Sequence, residues 1–127
     1  LATDERLATA SLLQLHHLRR SGVTVDDGKY SALVTTASGR ESMRMADQLT
    51  LLSIIGDEKI GDSLPAVKKW AATASYPLVV LGAIDVIRRF GAPGDAHFLD
   101  QEVATRNLSY ANQSIERAKR EIISRSD

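Results

Sequence analysis

Residues 56–90 read GDEKIGDSLPAVKKWAATASYPLVVLGAIDVIRRF, and the reading of this stretch decides the fold. It predicts one helical hairpin. A first helix over about 61–74 follows from Leu64, Val67 and Ala71, which continue from Ile60 at three- and four-residue spacing. Ser75 and Tyr76 make a very short turn. Pro77 then suits the first position of a second helix, where its missing N–H costs nothing. That helix carries Val80, Ala83, Ile84 and Ile87 on one face and stops at Gly91. So short a turn sets the two helices antiparallel.

The pattern recurs along the chain. Adding 35 takes Gly56 to Gly91, Leu64 to Leu99, Val80 to Ile115, Ala83 to Ala118 and Ile87 to Ile122. Subtracting 35 takes Val80 to Met45, Ile84 to Leu49 and Ile87 to Leu52, and a further step back of 34 takes Leu52 to Leu18 and Gly56 to Gly22. A fixed period with apolar positions kept is the mark of a stacked repeat array, in which neighbouring units bury each other's faces. The fold class expected is all-α: a short α-solenoid of antiparallel hairpins with about seven helices.

The run from Ile60 to Asp95 resembles a HEAT repeat. That family has a first helix with an early Leu, a short turn often bearing Pro, a second helix with Val, Ala and Leu at fixed spacing, and a Gly-containing linker. Leu64, Pro77, Val80, Ala83, Ile84, Ile87 and Gly91 occupy those places, and Gly56-Asp57 and Gly91–Asp95 read as linkers. The departure is Val79-Val80-Leu81, where the family often has Arg. A tetratricopeptide array has a similar period, but its Trp, Gly, Tyr and Ala positions are not matched. The resemblance covers about residues 24–125 and implies that second helices line a concave face that commonly holds a partner.

Taken in order, the other expected helices are 4–21 (Leu7, Leu12, Leu15 and Leu18 inward), 27–37 (Tyr30, Leu33, Val34 and Ala37 inward), 40–55, 96–107 and 112–125. Residues 22–28 form a turn-rich connector. Asp95 reads as the cap of helix 96–107, and Asn112 or Ser114 as the cap of the last helix. The units run about 1–22, 23–55, 56–90 and 91–127 within one repeat domain. The first lacks its opening helix, and the chain reads as a piece of a longer protein. In the last unit Ile84 is replaced by Lys119, Val86 by Glu121 and Phe90 by Arg125, the polar outer face expected where an array ends.

The 127 residues are 43% hydrophobic, with 16 basic and 16 acidic side chains and no cysteine. A chain of this size can bury roughly two-thirds of its unfolded surface, enough for a core without staples. Without cysteine there is no disulfide framework or thiolate metal site, which fits a reducing, cytoplasmic setting. No apolar run approaches the length of a membrane span. The balanced charge argues against a dedicated nucleic-acid binder, which carries a basic excess.

The chemistry-bearing residues are few. His16 and His17 point about 100° apart on a helix and read as solvated surface residues rather than ligands of one ion. No G-x-S-x-G nucleophile motif is present. The loop GAPGD lacks the Lys-Ser/Thr of a phosphate-binding loop, so it reads as an inter-repeat turn. Trp70 reads as a packing residue. The expectation is a non-catalytic chain with no metal and no cofactor.

The side of each second helix opposite its core gives a stripe of Leu13, His16, Arg20, Met43, Asp47, Ile54, Leu78, Asp85, Arg89, Arg117 and Arg120. An apolar patch rimmed by charge is a common docking surface. The plain alternative is a solvated face whose arginines complement helix C-termini. The leading expectation is a scaffold module binding a protein partner, or another domain of its parent chain, on this stripe. A nucleic-acid-backbone binder using Arg20, Arg89, Arg117 and Arg120, as some HEAT-like DNA-repair proteins do, is the alternative. A HEAT-like enzyme or lyase-chaperone subunit is a third.

Overall fold

The computed structural model describes residues 2–22, 26–39 and 43–125, and among them there are seven α-helices and no strand. The expectations for residues 23–25 of the connector, for the start of helix 40–55 and for the side chain of Leu7 lie outside the described residues. No described helix is long and apolar enough to cross a membrane. The chain divides into two compact units, one up to Ser63 and one from Leu64.

The first unit holds α1 (Ala2–Arg20), α2 (Asp27–Ser38) and α3 (Met45–Glu58). Asp26 caps α2, its carboxylate accepting the Lys29 N–H at 2.9 Å, one of the helix-start donors that lack an internal partner. Tyr30, Val34 and Ala37 face inward, with Leu12 of α1 and Leu51, Leu52 and Ile55 of α3 also buried. The Thr35 and Ser63 hydroxyls meet at 3.0 Å and fasten α2 to the 3₁₀ turn Gly61–Ser63. Two inward assignments fail. Leu18 and Leu33 are 39% and 52% exposed.

Helix α3 sits three residues later than the sequence pattern placed its end. Arg44 is the N-cap in extended backbone, and Asp47 falls in the first turn, where the helix's positive end favours a carboxylate. The helix runs through Gly56, Asp57 and Glu58 and ends at Lys59, which is left-handed at φ 53°. Gly56 is therefore a buried helical residue, not a linker. Gly91, its counterpart one period on, does follow a helix. A Cβ on Gly91 would lie 2.5 Å from the Ile87 carbonyl, so close approach rather than left-handed backbone requires glycine there.

The second unit opens with α4 (Leu64–Thr73), α5 (Pro77–Phe90) and a three-residue turn between them. The expected start at 61 is a 3₁₀ turn instead, because Pro65 belongs in a helix's first turn. Val67, Trp70 and Ala71 of α4 and Val79, Val80, Ala83, Ile84, Val86 and Ile87 of α5 are buried. In the GAPGD turn the Asp95 carboxylate accepts the Ala92 N–H at 2.9 Å and pairs with Lys68 at 2.9 Å. The turn's donor is thus taken by its own side chain. Asp95 lies inside α6 (Gly94–Phe98), with Pro93 at the cap position.

The helical run after α6 is not one α-helix to residue 107. It widens to a π turn over Leu99–Val103, tightens to 3₁₀ over Ala104–Arg106 and stops at left-handed Asn107. Arg106 donates to the Ala71 and Ala74 carbonyls at 3.0 and 2.7 Å, satisfying acceptors left open where α4 ends. A 3₁₀ turn, Ser109–Ala111, leads into α7 (Asn112–Ser124), so neither Asn112 nor Ser114 is its cap. Ile115, Ala118 and Ile122 face inward.

Candidate functional site

Two clusters combine charge with unusual burial or exposure, one in each unit. In the first unit, the last turn of α1 carries His17, Arg19 and Arg20, and the last turn of α3 carries Asp57 and Glu58. Carboxylates at a helix C-terminus oppose the dipole and need cations nearby. Arg19 meets Glu58 at 3.1 Å, Arg20 meets Asp57 at 3.8 Å, and His16 Nε2 donates to Asp57 at 3.3 Å. These contacts join the C-terminal ends of α1 and α3, so the two helices run parallel. His16 is 3% exposed, which corrects its assignment to a solvated surface. Its Nδ1 lies 3.3 Å from the Glu58 carboxylate, so acids flank both ring nitrogens. His17 is exposed, as expected.

The Arg19 guanidinium also stacks 4.8 Å above the Tyr30 ring, a cation–π contact. The Tyr30 hydroxyl is buried and has no hydrogen-bond partner among the described residues. Burial first, then the nearby Glu58 charge, push the phenol up to about 12 from 10.0. The folded protein thus holds this proton more tightly than the unfolded chain. The corresponding stability is intact below pH 10 and drains away as pH rises through about 12. Tyr30→Phe removes a buried unsatisfied group while keeping the ring under Arg19. The variant should gain about 1 kcal/mol in urea melts at neutral pH and lose less stability than wild type between pH 10 and 12. A destabilised variant would show that the hydroxyl has a partner.

The two ring nitrogens of His16 face different carboxylates, so one ion cannot gather the set. No group of three or more His, Asp or Glu among the described residues is arranged to hold a metal. Its chemistry is that of an ionic tie between two helix ends. Beside it on α1, Leu13, Gln14, His17, Leu18 and Ser21 line an open groove of about 270 Å³.

In the second unit, Arg88 of α5 reaches Glu121 of α7 at 2.8 Å and Asp85 of its own helix at 2.6 Å. The Glu121 hydrogen bond, then that to Asp85, raise the Arg88 pKa, and Arg88 in turn holds the Glu121 carboxyl below its ordinary value. Arg125 donates to the Gly91 and Arg88 carbonyls. Both sets of contacts join C-terminal halves, so α5 and α7 run parallel. Lys119 binds Asp100 at 2.7 Å and Glu116 at 3.3 Å, and the Asp100 hydrogen bond chiefly raises its pKa. The polar residues of the last unit are thus ties to neighbouring elements rather than a merely solvated end.

Along this parallel pair the exposed groups sort by end. Tyr76 and Leu78, beside the start of α5, are 52% and 60% exposed, and Tyr110, just before α7, is 40% exposed. Further along, Asp85 and Arg89 of α5 pair at 3.1 Å, and Arg117 of α7 approaches Glu121 at 3.8 Å. Arg120 is exposed. The expected stripe therefore divides. Leu78, Asp85, Arg89, Arg117 and Arg120 all reach the surface of the second unit. In the first, Leu13 and Arg20 are exposed and Met43 and Asp47 half-buried, Met43 lying before α3 rather than on it. His16 and Ile54 are buried and present nothing to a partner. Ile54 turns inward with Leu51, Leu52 and Ile55, which together form one broad apolar face of α3 spanning roughly 160°.

Sequence reasoning missed Tyr76 and Tyr110. The signal for Tyr76 was present, since a Tyr-Pro-Leu turn places aromatic and aliphatic side chains where a hairpin tip has nothing to cover them. Compared with known protein families, curated proteins and solved structures, the chain shows no match.

Proposed function

We propose that this chain is a non-catalytic protein-interaction module, built as a short HEAT-like solenoid, whose partner docks on the α5–α7 face of the second unit. The observation that supports it is the exposure of Leu78 beside Tyr76, two large apolar side chains at one end of a face otherwise rich in arginine. Single exposed apolar residues are ordinary. Adjacent ones rimmed by arginine, with another tyrosine at the same end, have the composition of an interface centre. The balance of 16 basic against 16 acidic residues over the whole chain weighs against a phosphate-backbone site, which needs a broad basic excess to release many counterions.

The test is capture with the full chain immobilised, comparing wild type with Leu78→Glu combined with Arg89→Glu, and with Leu13→Glu as a control on α1. The double variant should keep its helical circular dichroism, because neither side chain is in the core, and should lose the partner that wild type and control retain. Neither duplex nor single-stranded nucleic acid should bind at physiological salt. Retention of the partner by the folded double variant, or salt-sensitive nucleic-acid binding in its place, would overturn the proposal.

A further inference from the structure

We propose that the α5–α7 face takes an acidic amphipathic segment of a protein partner, its apolar end on Tyr76, Leu78 and Tyr110 and its carboxylates on Arg117 and Arg120. The inference rests on the docking role proposed above and adds the chemistry of what docks. Over the whole chain 16 basic residues balance 16 acidic ones. This face keeps a small basic excess: Arg88, Arg89, Arg117 and Arg120 stand against Asp85, Glu121 and Glu116, and Glu116 is itself engaged by Lys119 at 3.3 Å. Arg88 takes the short contacts to both carboxylates, at 2.6 and 2.8 Å, while Arg117 meets Glu121 only at 3.8 Å, beyond hydrogen-bonding distance. A guanidinium offers five N–H donors in a planar fork that fits an incoming carboxylate. Arg117 and Arg120, one helical turn apart on α7, present such forks to solvent.

The geometry also fixes the spacing of the ligand. Because α5 and α7 are parallel, Leu78 and Tyr110 share one end of the pair, and Glu121 is level with Arg88. Arg117 then lies roughly 10 Å along the helix axes from the apolar end, at about 1.5 Å per residue. An extended chain spans that distance in about three residues. The segment that fits has large apolar side chains first and acids about three residues later. Anchors that exclude water strengthen charge contacts beside them, which exposed pairs alone cannot achieve.

The test uses the full chain and a fluorescent synthetic peptide, acetyl-Leu-Phe-Ser-Ser-Glu-Glu-Glu-Asp, with a companion carrying Gln and Asn for the acids. Phosphatidylserine vesicles and duplex DNA are run alongside. The acidic peptide should bind, the neutral one about tenfold or more weakly, a difference of about 1.4 kcal/mol. Binding should vanish with Arg117→Glu combined with Arg120→Glu, whose circular dichroism should match wild type. Equal binding of both peptides, or capture of vesicles or DNA but not peptide, overturns the acidic-segment assignment. A partner lost on Leu78→Glu with Arg89→Glu but not displaced by the acidic peptide leaves the docking face standing and the ligand chemistry wrong. A partner kept by that double variant removes the face itself.

Discussion

Ile84→Asp should abolish the cooperative thermal transition of the second unit, while Lys119→Asp, one period along the chain, should leave a folded protein with a modestly lower melting temperature. Ile84 is 1% exposed in the middle of α5, on the buried face it shares with Val80, Ala83 and Ile87, so a carboxylate there loses its water. Burying an unpaired charge after losing an isoleucine side chain costs on the order of 5 kcal/mol, comparable with the whole stability of a small domain. Lys119 occupies the matching position of α7 but is held by Asp100 and Glu116 at its surface. Its reversal crowds like charges that water can screen, a smaller loss. Differential scanning of both variants checks this. Equal losses would show that position 119 is packed as tightly as position 84 and that the polar side of α7 is not a surface.

That contrast shows what the sequence could carry. The hairpin α4–α5 was legible because its apolar spacing, Pro77 and Gly91 agree at every level, and an amphipathic stripe fixes a helix and its inner face together. Around α3 the sequence pattern is out of register with the helix. Its apolar face is broad, roughly 160°, and periodicity alone places Ile54 outward. Gly56-Asp57 reads as a linker by analogy with Gly91–Asp95, yet the helix continues through it and Lys59 supplies the left-handed end. The winding change at Leu99–Val103 had no sequence signature, since spacing at three and four fits either winding.

The clusters were less legible than the helices, for a different reason. Charged residues at helix ends look alike in sequence whether they face water or each other. His16 looks solvent-facing from α1 alone, because the acids beside it, Asp57 and Glu58, come from α3, 41 and 42 positions along the chain. The arginines of α5 and α7 and the acid Asp85 follow from stepping through the repeat and from helical spacing, but the Arg88–Glu121 pair only emerges once the two helices are known to lie side by side.

The largest effect expected in the first unit is at Glu58, where two electrostatic arguments point in opposite directions. As an acid in the last turn of α3 it opposes the helix dipole, so Glu58→Lys should gain about 0.3–1 kcal/mol from that source. It also binds Arg19 at 3.1 Å and sits 3.3 Å from His16 Nδ1, with Arg19 and Glu58 side chains both 19% exposed. Replacing it with lysine sets three basic groups together in a largely desolvated place, a loss of about 3 kcal/mol by comparison with broken buried pairs. The pairing outweighs the dipole, and urea melts should show Glu58→Lys clearly destabilised. Arg19→Glu alone should lose a similar amount, because it leaves Glu58 facing a like charge. Combined, the two exchanges restore an opposite pair across α1 and α3, and they should recover at least half of the loss. A neutral or stabilised Glu58→Lys would make the dipole the dominant force at this helix end. A double variant no better than the single ones would show that the ionic tie depends on His16 and Tyr30 rather than on the Arg19–Glu58 pair.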